Sequence, residues 1–107
     1  MQDRRQSPRQ AVSQVTFTTR DQRFSVSDLS MAGAFLEDGG ALGEIGEAHV
    51  GTLIVPGPAG SLPIGLRVTV ARRDAERCGV RFAFQDTGQV VPLARFLEAQ
   101  RRLQAAG

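Results

Sequence analysis

Phe24-Ser25-Val26-Ser27-Asp28-Leu29-Ser30-Met31-Ala32-Gly33-Ala34-Phe35-Leu36 sets two apolar stretches on either side of turn-forming residues. Phe24 to Ser27 alternates apolar and polar side chains, the period of a half-buried strand, with Asp28 at its end. Met31 to Leu36 resumes as another short strand, and Asp, Ser and Gly between the two are common turn formers. Toward the N-terminus, Val12 to Thr18 is rich in β-branched and aromatic residues and predicts a first strand with imperfect alternation, followed by the polar turn Arg20-Asp21-Gln22. Toward the C-terminus, Asp38-Gly39-Gly40 with Gly43 and Gly46 marks a loop, and His49 to Val55 reads as a fourth strand. Pro56-Gly57-Pro58-Ala59-Gly60 is a turn, after which Leu62 to Arg72 faces Arg77 to Phe84 across Arg73-Asp74-Ala75-Glu76 as a hairpin. Six short strands in succession predict a mainly all-β fold, a six-stranded antiparallel barrel.

The tail differs in period. Leu93, Phe96, Leu97 and Leu103 recur at helical spacing, and Asp86-Thr87-Gly88-Gln89 has the form of a capping box. Pro92 is tolerated in a first turn, so the regular helix is expected to start near it. Its apolar stripe is expected to cover one mouth of the barrel.

The chain has 107 residues, enough for one domain with a modest core and too few for a nucleotide-processing enzyme with a separate substrate domain. Residues 1–11 read as a flexible N-terminal segment and residues 12–107 as the barrel with its closing helix. At 41% hydrophobic and 22% charged, the composition is that of an ordinary soluble globular domain. No stretch reaches the ~20 apolar residues of a transmembrane helix. The polar start Met1-Gln2-Asp3-Arg4-Arg5-Gln6 and the lone Cys78 fit a reducing cytoplasm, so membrane insertion is not expected.

All thirteen basic residues are arginine, and they are unevenly spread. Residues 1–23 carry five arginines against Asp3 and Asp21, residues 24–66 carry five acids and no arginine, and residues 67–107 carry eight arginines against four acids. A basic end beside an acidic middle is compatible with an anion site near the N-terminus. Arg5-Gln6-Ser7-Pro8-Arg9 places two guanidinium groups ahead of the first strand. Pro8 biases Ser7 away from the helical region, so the segment is extended and the even spacing directs Arg5 and Arg9 to one side. A guanidinium forks onto two phosphate oxygens or onto the O6/N7 edge of a guanine. Asp28 supplies the complement, because a carboxylate accepts the N1 and N2 protons of guanine, and Ser30 can donate to a phosphate oxygen. Gly33 suits a turn that needs positive φ or a close backbone approach.

An Arg-x-x-x-Arg followed across a strand or two by Asp-x-Ser-x-x-Gly resembles the signature of the PilZ domain family. Cys78-Gly79-Val80-Arg81-Phe82 is similar to the Gly-Val-x-Phe that members carry on the last barrel strand. The strand order, the proline-glycine turn and the closing helix extend the resemblance over nearly the whole chain. It implies a six-stranded β-barrel with a C-terminal helix that binds the bacterial second messenger cyclic di-GMP as ligand, without cofactor and without catalysis. It implies that Arg5 and Arg9 grip phosphates and guanine faces, that Asp28 and Ser30 take guanine edges and phosphate from the barrel side, and that Gly33 lets the backbone turn closely. Arg4, just before the motif, is an accessory that stacks or pairs. Ligand would fold the N-terminal segment onto the barrel, and the output would pass in trans to an effector protein.

The alternative within the same fold is a protein-interaction adaptor that does not bind nucleotide; an intact motif argues against it. A nucleic-acid-binding barrel would want exposed aromatics for base stacking, and the six Phe, with no Trp or Tyr, fall mostly at core-like positions. No acid/base pair, triad or metal cluster suggests an enzyme, and His49, the single histidine, cannot anchor a recognisable metal site. Cys78 reads as a small buried side chain, and Phe82 and Phe84 as core. A monomer or weak dimer is expected.

Overall fold

Strands that bury one face must alternate, and the longest one here does so from Ile64 to Val70: Ile64, Leu66, Val68 and Val70 are buried while Gly65 and Arg67 between them are exposed and Thr69 is half-buried. The computed structural model of the chain describes residues 10–12, 14–20, 22–37, 42–57, 60–74, 77–84 and 86–106. Among the described residues there are seven strand segments: β1 (Gln10–Ala11), β2 (Thr16–Thr19), β3 (Gln22–Leu29), β4 (Gly33–Glu37), β5 (Ala48–Gly57), β6 (Gly60–Arg73) and β7 (Arg77–Ala83). A short 3-10 turn, Thr87–Gln89, leads into the helix α1, Val90–Ala106.

β1 and β2 lie end to end along one edge of β3, so together they form a single broken barrel strand. Gln10 faces Leu29 and Ala11 faces Asp28, whereas Thr16 faces Ser25, so the register advances by two residues in between. Gln14 takes a positive φ of 62° at that break. This insertion accounts for the imperfect alternation of the stretch in sequence. All pairings are antiparallel, and the circuit β3-β2-β5-β6-β7-β4 closes through the β3–β4 pairing into a six-stranded barrel. Closure removes every long free sheet edge.

The interior is filled by Phe17 from β2, Phe24, Val26 and Leu29 from β3, Leu36 from β4, Leu53 and Val55 from β5, and the β6 row, with Cys78 and Val80 from β7. Leu93, Phe96 and Leu97 of α1 join the same core, and the helix packs against β1, β5 and β6. Asp86 Oδ1 accepts from Gly88 N–H at 3.0 Å, half of the predicted capping box. Gln89 does not complete the box; its Oε1 accepts from Gly65 N–H of β6 at 3.1 Å and pins the helix start to the barrel. Leu103 departs from the expected stripe and is 66% exposed. The helix of 17 residues runs about 25 Å, and the buried Leu93, Phe96 and Leu97 lie in its first half. Phe82 and Phe84 are half-buried at the core's margin, edge to face with centroids 6.2 Å apart.

Two β-bulges decide which side chains reach the outside. Val26 pairs with Leu36 but Asp28 with Phe35, leaving Ser27 as the extra residue on β3. Val70 pairs with Val80 but Arg72 with Gly79, leaving Ala71 as the extra residue on β6. Each insertion reverses the inside-outside alternation beyond it. Phe24 and Val26 point inward, and after the bulge it is Leu29, fully buried, that points inward while Asp28 turns out. Arg72 is turned out in the same way after Val70.

Candidate functional site

Asp28, Phe35, Gly79 and Arg72 stand in one cross-strand row over β3, β4, β7 and β6. Ala34 and Leu36, on either side of Phe35, belong to the core cluster, and Phe35 does not. It is an aromatic ring on the outer wall of the barrel, yet only 8% exposed. Gly79 leaves room for it: a Cβ there would stand 3.0 Å from Phe35 Cε1. Above the ring lies the guanidinium of Arg77, 4.5 Å from its centroid, a cation–π contact. Arg77 Nη1 also lies 3.8 Å from Asp28 Oδ2.

These residues line a depression of about 310 Å³ completed by Arg73 and Asp74 at the tip of the β6–β7 hairpin. Asp74 shapes that tip, its Oδ1 accepting from Arg77 N–H at 2.9 Å and its own N–H donating to Arg77 O at 3.0 Å. Arg73 reaches Glu44 at 3.4 Å. Three arginines, Arg72, Arg73 and Arg77, thus line the depression together with the carboxylates of Asp28 and Asp74. With side chains 40% and 32% exposed, the Arg77–Asp28 pair contributes at most about 1 kcal/mol to stability. The pair therefore does little for the fold and exchanges readily for other partners.

Ser30 and Gly33 serve the connection between β3 and β4. Ser30 is 4% exposed, and its Oγ accepts from Ala32 N–H at 3.1 Å and Gly33 N–H at 3.2 Å, with Gly33 O 3.4 Å away as acceptor for its proton. Ser30 N–H donates to Gly33 O at 2.9 Å, closing the turn from the other side. The hydroxyl is thus engaged within the turn, while Asp28, two residues earlier, faces the depression. Of the two roles open to Gly33, close approach is the one seen: a Cβ would lie 2.1 Å from Val80 O of the neighbouring β7. Ala32 O accepts from Phe82 N–H at 2.8 Å, fastening the turn to β7.

Arg4, Arg5 and Arg9 lie outside the described residues. Pairing with β3 begins at Gln10, within the segment 1–11 that the sequence sets apart, and Gln10, bonded to Arg9, faces Leu29 between Asp28 and Ser30. Arg72, Arg77 and Phe35 were not among the residues expected at the site. The arginines carried no spacing signal among thirteen, and Phe35 reads as core from its strand. Among the described residues no group of His, Cys, Asp and Glu could hold a metal ion, and no helix is long and apolar enough to cross a membrane. Cys78 is fully buried, and that burial pushes its thiol pKa up against the opposing pull of Arg73.

The PilZ domain family model matches residues 3–99. The chain belongs to the PilZ domain family. A comparison with curated proteins finds no match. Among solved structures, this PilZ domain is similar to the inhibitor of motility MotI/DgrA of Bacillus subtilis, with a TM-score of 0.74 at 20% identity over 97% of this chain and 52% of that one. It is also similar to YcgR of Escherichia coli, solved in complex with c-di-GMP, with a TM-score of 0.68 at 20% identity over 96% of this chain and 48% of that one. The chain therefore spans about half the length of either protein. At this identity the likeness carries the barrel fold.

Proposed function

We propose that this PilZ domain is a non-catalytic receptor for cyclic di-GMP, whose two guanines and two phosphodiesters call for both donors and carboxylate acceptors in one place. The observation that carries the reading is Asp28: a carboxylate turned out of the core by a bulge, in the wall of an arginine-lined depression, two residues before the turn held by Ser30. A cation-only pocket serves any phosphate, whereas a carboxylate beside cations suits a base with N–H donors on its edge. The pairing of Gln10 with Leu29 supports a role for Arg9 and Arg5, because it brings the chain just after Arg9 to the strand that carries Asp28. Arg5 and Arg9 grip the phosphates and guanine faces, with Arg4 as an accessory, Asp28 takes a guanine edge, and Ser30 and Gly33 hold the turn. The family assignment and the c-di-GMP complex of the structural neighbour YcgR support the same ligand.

Binding orders the residues ahead of the Gln10–Leu29 pairing against the barrel, and the altered surface is read by an effector protein in the cytoplasm. Isothermal titration calorimetry with cyclic di-GMP tests the reading. A micromolar or tighter constant, about −8 kcal/mol or better, abolished by Arg9→Ala, is expected. Absence of heat together with an unchanged melting temperature would overturn it. Limited proteolysis tests the switch: ligand should protect residues 1–9, and unchanged cleavage there would rule the ordering out.

A further inference from the structure

We propose that Arg77 reads the O6/N7 edge of the same guanine whose N1 and N2 protons Asp28 accepts, so that one base is recognised by an opposite-charge pair drawn from β3 and β7. The inference rests on the cyclic di-GMP reading above and adds to it a residue outside the motif. Guanine presents donors (N1, N2) and acceptors (O6, N7) side by side along adjoining edges. The protein presents the matching order, a carboxylate with a guanidinium nitrogen 3.8 Å from it. Adenine reverses the order, with an amino group where guanine has O6, and would set donor against donor at Arg77.

Three arginines line the depression, and the geometry separates them. Arg73 extends to Glu44 at 3.4 Å. Arg72 stands at the far end of the row, with Phe35 and Gly79 between it and Asp28. Arg77 Nη1 lies 3.8 Å from Asp28 Oδ2, and its guanidinium is supported from below by Phe35 at 4.5 Å. A guanidinium held on an aromatic face loses less freedom when it forks onto a base than one swinging in solvent.

The test compares cyclic di-GMP with its 7-deazaguanine analogue, which lacks the N7 acceptor, by calorimetry on the wild-type chain, Arg77→Met, Arg77→Lys and Arg72→Met. The wild type should bind the analogue about tenfold more weakly than cyclic di-GMP. Arg77→Met should lose about tenfold for cyclic di-GMP and no longer distinguish the two ligands. Arg77→Lys, which keeps the charge without the planar fork, should also fail to distinguish them, and Arg72→Met should still do so. Melting curves matching wild type exclude misfolding as the cause. If Arg77→Met and Arg77→Lys still discriminate while the wild type binds cyclic di-GMP, the assignment to Arg77 is wrong and the receptor reading stands. A wild type that binds neither ligand overturns both.

Discussion

Asp28 on β3 and Arg72 on β6 end up on the same outer row of the barrel because each follows a bulge, at Ser27 and Ala71, that reverses the alternation of its strand. Without those insertions the inward series Phe24–Val26 and Ile64–Val70 would continue onto Asp28 and Arg72. A buried carboxylate and a buried guanidinium without matched partners are costly, so the bulges resolve a conflict between core and site. They also concentrate charge on one wall, beside a tight hairpin tip held by Asp74.

Asp28→Ala should separate binding from folding. The carboxylate's exposed contact with Arg77 is worth at most about 1 kcal/mol, so the melting temperature should move little. Loss of its acceptors for the guanine edge should weaken cyclic di-GMP binding by about 1 to 3 kcal/mol, read by calorimetry. Undiminished affinity would remove Asp28 from the site.

Ser30→Ala should act first on stability. Two amide protons, of Ala32 and Gly33, lose their acceptor in a turn where Ser30 is 4% exposed, at a cost of about 1 to 3 kcal/mol. Chemical denaturation should show the lowered midpoint, with affinity falling as a consequence. Lost affinity at unchanged stability would instead mean that the hydroxyl acts on the ligand directly.

Gly33→Ala should be among the more damaging single substitutions in the chain. The new methyl would lie 2.1 Å from the Val80 carbonyl oxygen, and neither partner is a flexible side chain. The β4–β7 pairing must open locally, at a cost of about 1 to 3 kcal/mol or more. A denaturation midpoint equal to wild type would contradict the close approach.

Cys78 should resist alkylation in the folded protein and react readily once denatured, because it is fully buried and its thiol pKa is raised by desolvation. The sign of the linkage follows. A thiol with a higher pKa folded than unfolded contributes stability present at neutral pH, below the unfolded value of about 8.5, and lost as pH rises through the folded value. Cys78→Ala should flatten the alkaline fall in melting temperature, and an unaltered alkaline profile would count against this account.

Much of the barrel was legible because local patterns and tertiary needs agree. The hairpin of Arg67 to Arg73 with Cys78 to Ala83 and the helix around Leu93, Phe96 and Leu97 follow period and turn chemistry, whereas Leu62 to Leu66, expected to face the same strand, pair with β5. Disagreement begins where the pattern meets a boundary. The first strand is broken at Gln14, which the alternation registered only as a blemish, and Leu103 follows the helical period with no barrel beneath it.

At the site, the sequence by itself determined which chemistry is available: two arginines ahead of the first strand, a carboxylate, a serine and a glycine at set spacing, and enough arginine elsewhere to meet an anion. Asp28-x-Ser30-x-x-Gly33 is a local turn motif, so its form is set by residues a few positions apart. Only the tertiary structure decided that Asp28 shares a wall with Phe35, Gly79, Arg72 and Arg77, since that depends on the registers of β3, β4, β6 and β7. Register is a property of pairs of strands, and a single inserted residue such as Ser27 or Ala71 turns a side chain from core to solvent while leaving the composition of the strand unchanged.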